Sequence, residues 1–315
     1  MNIINQHITD NCALYHGDSA EVLRFIPSNS VHYIIYSPPF SSLYTYSNSE
    51  RDLGNCRSNE EFFEHFRFIC VELKRVLMQG RLMSVHCMDL PMSKNMHGHM
   101  GLIDFPGLLI RMFEELGLIF HSRVTIWKDP LISATRTKAL GLLHKQIVKD
   151  SSLCRQGIPD YLITFRSPED NPEPIAHPDG FTDFIGEDAP QGGVYSHQVW
   201  RRYASPVWMD INPSNTLNAV GARDEKDERH ICPLQLDVIG RGVALWSNPG
   251  DKVLTPFMGI GSECYQSLKM GRKAIGIELK DSYYNQAVAN CSNIEVMNQR
   301  DVAYFLNQET EEQAI

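Results

Sequence analysis

Two segments in which an apolar run stops abruptly at a turn constrain the fold of this 315-residue chain most strongly. Near the start, Val31 to Tyr36 is apolar and aromatic, and Ser37-Pro38-Pro39-Phe40 follows directly. Near the end, Lys252 to Leu254 leads into Thr255-Pro256-Phe257-Met258-Gly259-Ile260-Gly261-Ser262. Short apolar runs bounded by proline or glycine are typical of buried strands. We therefore predict two buried strands, each followed by a turn that is a candidate functional segment.

Strand-like and helix-like segments alternate through most of the remaining chain. Ser58 followed by Glu61 is a capping-box pattern, and it predicts a helix with one apolar face that ends at Gly80. The other predicted helices are Ala20–Phe25, Phe105–Leu116, Gln235–Trp246, Ser262–Met270 and Ser282–Ala289, and the other predicted strands are Leu82–His86, Ile119–Trp127 and Lys273–Ile277. Alternation of this kind indicates an α/β fold with a mostly parallel sheet covered by helices.

The alternation is interrupted in the middle of the chain. Ser167 to Gly193 is rich in Pro, Asp and Gly and is typical of a loop. We predict one α/β domain formed by residues 1–128 and 231–308, an insert at 129–230, and an acidic tail at 309–315.

Composition excludes several classes of protein. The eight cysteines are scattered without a C-x-x-C pair, which favours reduced thiols in a cytosol over a disulfide framework. His86, His97 and His99 lie near Cys87, but their spacing matches no standard ligand pattern, so we expect no metal. No apolar run approaches the ~20 residues of a membrane span, and residues 1–10 do not resemble a secretory signal.

The net charge of −9 argues, by itself, against a nucleic-acid-binding protein. The charge is unevenly distributed, however, because residues 121–166 contain eight basic and three acidic residues. The basic residues are Arg123, Lys128, Arg136, Lys138, Lys145, Lys149, Arg155 and Arg166. This stretch is either a nucleic-acid footprint or a solvated face with chance clustering.

The glycine-containing turn near the end of the chain is suited to a small anionic or polar cofactor. Gly259 and Gly261 allow the backbone to approach a ligand closely, and the helix that follows aims its N–H groups at it. Glu278 ends the next predicted strand about twenty residues later, where a carboxylate can accept hydrogen bonds from two ribose hydroxyls. The alternative is that Glu278 is only an exposed strand end. A single unit of this kind fits S-adenosylmethionine better than a dinucleotide.

The proline-rich turn near the start is suited to an exocyclic amino group. The hydroxyl of Ser37 and the carbonyl of Pro38 can accept hydrogen bonds from the two amino hydrogens as charge develops on the nitrogen. Two consecutive prolines keep this backbone stiff, and Phe40 offers a face on which a flipped base can stack. The alternative is a strand ended by a proline turn with a buried Phe40.

Together, these segments resemble the beta-class DNA amino-methyltransferases, in which a D/S/N-P-P-Y/F motif precedes the target-recognition region and the cofactor motif comes last. Three smaller elements are similar to that family: Gly17-Asp18, Val124 to Lys128, and Arg229 to Pro233 with the helix and Asn248 to Asp251 that follow. Asp52 to Asn55 resembles phage or prophage solitary members. The resemblance implies a Rossmann-like methyltransferase sheet with circularly permuted motif order and an inserted target-recognition region.

The resemblance also implies roles for individual residues. The catalytic set is Ser37, Pro38, Pro39 and Phe40. The set that binds S-adenosylmethionine is Asp18, Ser37, Pro256, Phe257, Gly259, Gly261, Ser262 and Glu278. The set that contacts the target base and DNA is Phe40, Tyr44, Trp127, Lys128, Arg136, Lys138, Lys145 and Lys149.

Two departures from the family pattern affect the cofactor motif. The family usually has Asp before the Pro-Phe pair, whereas this chain has Thr255, so a carboxylate expected beside the methionine ammonium is missing. Ser262-Glu263 follows the second glycine where paired Ser or Thr residues are usual.

The resemblance predicts a site-specific DNA methyltransferase that acts on a flipped base, with adenine N6 as the first expectation. Ser37 in the motif favours the alternative, cytosine N4, whereas the wider similarity to phage-type enzymes favours adenine. Methylation of a protein glutamine or of RNA is disfavoured by the motif order, and Thr255 leaves open a DNA-binding protein without activity. We expect double-stranded DNA as partner, a homodimer, and a cytoplasmic, nucleoid-associated protein of a prokaryote or phage. The sequence assigns no cognate restriction nuclease.

Overall fold

The computed structural model describes residues 3–39, 53, 56, 58–92, 98–137, 144–219 and 233–294. Phe40, Tyr44, Lys138 and the acidic tail lie outside the described residues, as does the side chain of Arg136.

Nine of the strands within the described ranges form one sheet, in the order β1-β2-β11-β10-β3-β4-β8-β7-β9, and β5 and β6 form a separate hairpin. The strands are β1 Asn5–Ile8, β2 Cys12–His16, β3 Val31–Tyr36, β4 Leu77–Met88, β5 Leu90–Met92, β6 Gly101–Ile103, β7 Ile119–Ile126, β8 Asp160–Arg166, β9 Val207–Trp208, β10 Lys252–Thr255 and β11 Lys273–Glu278. The five neighbouring strands β2, β11, β10, β3 and β4 are parallel. Their carboxyl ends therefore lie at one edge of the sheet.

Helices cover both faces of this sheet. They are α1 Ser19–Val22, α2 Asn59–Val76, α3 Phe105–Glu115, α4 Pro130–Thr137, α5 His144–Lys149, α6 Tyr195–Tyr203, α7 Leu236–Trp246, α8 Ser262–Lys269 and α9, residues 281–294. Among the described residues, none of these helices is both long enough and apolar enough to span a membrane.

Strand β3 is buried on both faces, as its apolar sequence predicted. Ile34 and Tyr36 belong to the same apolar cluster as the buried residues of α2 and α3. Tyr33 and Ile35 point the other way and belong to the cluster that contains the core residues of α7. Successive residues of a strand face opposite sides, so β3 joins both halves of the core and fixes where residue 37 emerges.

Helix α2 begins where the capping pattern predicted, but it ends earlier than expected. Ser58 accepts a hydrogen bond from the backbone N–H of Glu61 at 3.2 Å. The helix stops at Val76, and β4 follows at once. The prediction that Gly80 ends the helix was wrong, because Gly80 lies inside β4 with φ +65° and a Cβ on it would come within 2.4 Å of the backbone nitrogen of Asn171. The glycine thus permits a close approach between two backbone segments.

Part of the stretch at 129–230 belongs to the main sheet. Strand β8 lies between β4 and β7 and is antiparallel to both, and β9 extends the sheet beyond β7. The segment is also joined to α7 by Arg241, which is fully buried and donates to Asp210 at 2.8 Å and to the carbonyl of Ile185 at 2.7 Å. A separate target-recognition role thus remains a prediction for the part of 129–230 outside the sheet.

Candidate active site

The carboxyl-terminal edge of the parallel strands brings the two predicted motifs together. Ser37 follows β3, and Pro256 follows β10, which lies beside β3 in the sheet. Glu278 ends β11 on the other side of β10, and Asp18 follows β2 beside β11. Ligands of open α/β sheets bind at this edge. The fold therefore places the residues of the two motifs around one region.

The glycine turn, residues 255–262, contains two glycines in the left-handed region of backbone conformation. Gly259 and Gly261 have φ angles of +51° and +88°, which favour glycine. A Cβ on Gly261 would lie 3.0 Å from the Cβ of Ala287, so that glycine permits close packing against α9. Around the corresponding position on Gly259, no described heavy atom lies within 4 Å. The turn thus leaves open space where its backbone could approach a ligand.

The carboxylate of Glu278 is held against this turn. One oxygen accepts a hydrogen bond from the backbone N–H of Gly259 at 2.8 Å, and the other accepts from the backbone N–H of Lys280 at 2.9 Å. Each carboxylate oxygen can accept a further hydrogen bond. The backbone therefore orients the carboxylate of Glu278 against the glycine turn.

Helix α1 is attached to the same turn. The carboxylate of Asp18 accepts from the backbone N–H of Ala20 at 2.8 Å and caps the helix. The hydroxyl of Ser19 donates to the carbonyl of Pro256, and the backbone N–H of Gly17 donates to the carbonyl of Glu278 at 2.9 Å. These bonds fix Asp18 beside the strand that carries Glu278.

At the other motif, four polar side chains from separate strand ends form what we call the serine network: Ser37, His86, Asp160 and Lys128. The hydroxyl of Ser37 lies 2.9 Å from Nδ1 of His86 in a hydrogen bond. Nε2 of His86 lies 3.2 Å from one oxygen of Asp160, and Nζ of Lys128 donates to the other at 2.5 Å. His86 and Asp160 are buried. Ser37 thus contacts His86 on one side of the imidazole ring, and Asp160 lies beside the ring on the other side.

The charge of Asp160 is stabilised by its neighbours. Burial alone would raise the pKa of this carboxyl, but His86 and Lys128 beside it lower the pKa below its usual value. Asp160 is therefore ionised at neutral pH. Its negative charge lies 3.2 Å from Nε2 of His86, on the side of the ring opposite the Nδ1 atom that contacts Ser37.

The chain matches the model of a DNA methylase family over residues 31–289. It is a member of the N6/N4 DNA methylase family. The type II methyltransferase M.BglII of Bacillus subtilis is 24% identical to it over 274 residues, which cover 87% of this chain and 67% of that relative.

Two solved structures share the fold. A Thermus thermophilus protein with the proposed role of a DNA modification methylase, solved with S-adenosyl-L-methionine, has a TM-score of 0.62 at 19% identity. The match covers 90% of this chain and 95% of that one. The PvuII DNA methyltransferase, described as cytosine-N4-specific, has a TM-score of 0.61 at 17% identity and covers 95% of this chain and 96% of its own. The predicted α/β methyltransferase fold and the predicted class, a DNA amino-methyltransferase, are confirmed.

Two members of the serine network were not predicted as site residues of the methylase. His86 attracted attention only as a metal ligand near Cys87, and Asp160 was only one of three acids in a basic stretch. Their signal lies in topology: His86 is near the end of the strand next to β3, and Asp160 begins β8, which pairs with β4. Since β8 was not predicted, nothing in the sequence placed Asp160 near Ser37.

The residues predicted to contact DNA are distributed unevenly around the methylase's site. Lys128 pairs with Asp160, so its charge belongs to the serine network. The side chain of Trp127 is 46% exposed, next to Lys128 at the end of β7. Lys145 and Lys149 are exposed on α5, a six-residue helix, and Arg136 lies in α4. Of this set, the described contacts place only Lys128 in the serine network, and Trp127 is its neighbour in the chain.

Between the two motifs, aromatic packing supports the start of the glycine turn. The ring of Phe257 lies 5.8 Å from that of Tyr36 and 6.1 Å from that of Phe66, measured between centroids. Thr255, one position before Pro256, is 1% exposed, and within the described part of the chain its hydroxyl oxygen has no hydrogen-bond partner. The methylase thus buries a neutral polar group where its family usually has a carboxylate.

Proposed function

We propose that this methylase transfers the methyl group of S-adenosylmethionine to the exocyclic amino group of a base flipped out of double-stranded DNA. The observation that carries the proposal is the position of Ser37 with its histidine and carboxylate, at the same sheet edge as the glycine turn. The Thermus thermophilus relative, which has the same fold, was solved with S-adenosyl-L-methionine.

The cofactor would be held by residues that the fold already orients. Glu278 would accept hydrogen bonds from the ribose hydroxyls, and Asp18, fixed beside β11, would face the adenine. The backbone from Pro256 to Ser262, with the open space at Gly259, would hold the methionine part. When bound, the cofactor supplies an electrophilic methyl group. The protein would position this methyl group next to the base and exclude water from it.

The serine network would orient the amino group and accept its proton. The hydroxyl of Ser37 and the carbonyl of Pro38 would each accept a hydrogen bond from one amino hydrogen. As the nitrogen gains its methyl group it must lose one proton, which Ser37 would accept while giving its own to Nδ1 of His86. The carboxylate of Asp160, 3.2 Å from Nε2 of His86, would lie beside the positive charge that the ring then carries.

The same geometry serves adenine N6 and cytosine N4, since each is an amino group on an aromatic ring. We propose adenine N6 first, on the wider resemblance of the chain to phage-type enzymes. Cytosine N4 is the second candidate, favoured by Ser37 in place of an acid and by the PvuII enzyme, which shares the fold and is described as cytosine-N4-specific.

DNA contacts are proposed for residues that follow the Ser37 motif, for the end of β7 and for the insert. Phe40 and Tyr44 would stack on or border the flipped base, and Trp127, which is partly exposed, would border it from β7. Arg136, Lys138, Lys145 and Lys149 would contact phosphates or base edges, because positive charge in the insert offsets the acidic balance of the chain. A homodimer on DNA is part of this proposal.

Methylation-aware sequencing of DNA from cells that express the protein tests the proposal directly. We expect one modified sequence motif, with the methyl group on adenine N6 or on cytosine N4, and none in cells that express Ser37→Ala at the same level. Absence of any modified motif, with soluble protein present, would refute the proposed activity. A methyl group on cytosine N4 would replace the first candidate by the second.

A further inference from the structure

Glu263, in the first turn of α8, is the acidic residue closest in sequence to the glycine turn. It is 95% buried, as its side chain and backbone together are 5% exposed. Within the described residues, no lysine, arginine or histidine forms an ion pair with it. Burying a carboxylate without a cationic partner is costly. A residue of this kind at the start of the helix that follows the cofactor turn therefore needs an explanation.

Burial sets the protonation state of Glu263. It raises the pKa of this carboxyl to about 8, although a hydrogen bond from its own backbone N–H lowers the pKa somewhat and the nearby carboxylate of Glu278 raises it again. In the free protein the group is mostly neutral at pH 7. A cation placed beside it would favour the ionised form and compensate for the burial.

Helix α8 and the residue before α7 carry other buried polar atoms that lack hydrogen-bond partners among the described residues. Gln266 lies one turn later on the same face of α8, and its carbonyl oxygen is buried without a hydrogen-bond partner in the described part of the chain. This face packs on α7, where a Cβ on Gly240 would lie 2.9 Å from the amide nitrogen of Gln266. The oxygen of Gln235, just before α7, is also buried and unpaired among the described residues.

Under the proposed function, the backbone of the glycine turn holds the methionine part of the cofactor. Glu263 follows that turn directly, in the first turn of α8. At the end of β10, the position of the usual acid is occupied by Thr255, whose buried hydroxyl lacks a partner among the described residues. The chain therefore lacks an acid at position 255. Eight residues later it carries Glu263, which is buried and has no cationic partner among the described residues.

We propose that Glu263 supplies the carboxylate that Thr255 lacks, and that it binds the α-ammonium group of the methionine part of S-adenosylmethionine. The inference rests on the proposed function, because it assigns one more residue to the same cofactor site. The carboxyl of Glu263 loses its proton to solvent when the ammonium group takes its place beside it, so cofactor binding is coupled to proton release.

The test is calorimetric titration of the full chain at pH 7 with S-adenosylmethionine and with S-adenosylhomocysteine, which has the same ammonium group but no sulfonium charge. Each titration is run in phosphate and in Tris, whose different ionisation enthalpies reveal the number of protons released. Glu263→Gln preserves size and the neutral form, and Glu64→Gln, on the exposed side of α2, is the matched control.

We expect Glu263→Gln to bind both ligands about 10- to 100-fold more weakly, because a hydrogen bond between charged groups is lost. It should release about one proton fewer per ligand than the parent chain does. Glu64→Gln should match the parent in both respects. Unchanged affinity in Glu263→Gln would overturn the inference, and so would weaker binding of S-adenosylmethionine alone, since that pattern points to the sulfonium group.

A second variant keeps the inference testable if Glu263→Gln is poorly folded. Thr255→Asp combined with Glu263→Gln restores an acid at the family position, and we expect it to recover most of the lost affinity. No recovery in a folded double variant would contradict a shared role of the two positions. Failure of the proposed function is distinguishable, because in that case the parent chain would bind neither ligand.

Discussion

The glycine turn and the serine network lie at the same sheet edge, but they are built from different parts of the chain. The turn is one continuous segment, and its contact with Glu278 is made by a backbone group, the N–H of Gly259. The network takes one side chain each from the ends of β3, β4, β7 and β8, so its members come from positions 37 to 160.

Because of this difference, substitutions in the two regions should have different effects on stability, cofactor binding and turnover. The glycine turn depends on the backbone conformation of Gly259 and Gly261. Substitutions of these glycines should therefore affect folding and the fit of a ligand. A site made of side chains depends on their chemistry, so conservative changes there can leave the fold and cofactor binding intact while turnover falls. Three predictions test this division, in order of decreasing expected effect.

Replacing Ser37 by Ala should separate turnover from cofactor binding most sharply. The change removes the hydroxyl that would orient the amino group and pass its proton to His86, so the rate of methyl transfer should fall about 10²- to 10⁴-fold. The affinity for S-adenosylmethionine, measured by calorimetry, should stay within about twofold. Single-turnover methylation of DNA measures the rate, with Ser214→Ala at an exposed position as control. An unchanged rate would remove Ser37 from the mechanism.

Two alanine substitutions within the glycine turn should have different consequences. Gly261→Ala should lower the free energy of unfolding by about 2 kcal/mol, because the left-handed conformation is strained and the new methyl group crowds Ala287. Gly259→Ala should cost about 1 kcal/mol from the backbone alone, yet it should weaken cofactor binding more than tenfold by filling the open space. Urea unfolding and calorimetry measure the two effects. Equal losses of stability would show that packing on α9 is unimportant.

The pH dependence of stability should report the charge of Asp160. Its pKa is lower in the folded protein than the usual 3.8, so the ionised form stabilises the fold above about pH 4, and this stabilisation is lost as the pH falls through the folded pKa. In Asp160→Asn, the free energy of unfolding should fall less steeply as the pH is lowered below about 4. Urea unfolding between pH 2.5 and 6 measures the slope. Identical slopes would mean that other groups determine acid sensitivity.

The comparison also explains how much of the molecule could be predicted from its sequence. Local patterns carry their own evidence: the apolar run of β3, the capping residue Ser58 and the two glycines of the turn each predicted a structure that the fold contains. Glu278 could be associated with the turn because one strand and one helix fix the distance between them. Elements of this kind depend on neighbours in the chain, so a sequence pattern is enough to indicate them.

The serine network could be predicted only in part. Ser37 belongs to a recognisable motif, but the pairing of His86 with Asp160 depends on β8 lying beside β4, and β8 lies in a stretch predicted as an insert. Similarly, the prediction that helix α2 ends at Gly80 was wrong. The contact that requires this glycine is with Asn171, which is distant in the sequence. Long-range packing decides such features, and it leaves little trace in local sequence.

The position of β10 next to β3 has a consequence for how the protein is made. His32, in β3, accepts a hydrogen bond from the backbone N–H of Lys252, in β10, although 220 residues separate them. At ordinary rates of translation, β3 leaves the ribosome roughly 10 to 40 seconds before its neighbour does. During that time one edge of a strongly apolar strand is unpaired and open to wrong partners. The strand that leads to Ser37 therefore stays unpaired on this edge until β10 is made, and the nascent chain brings its two candidate motifs together in one late step.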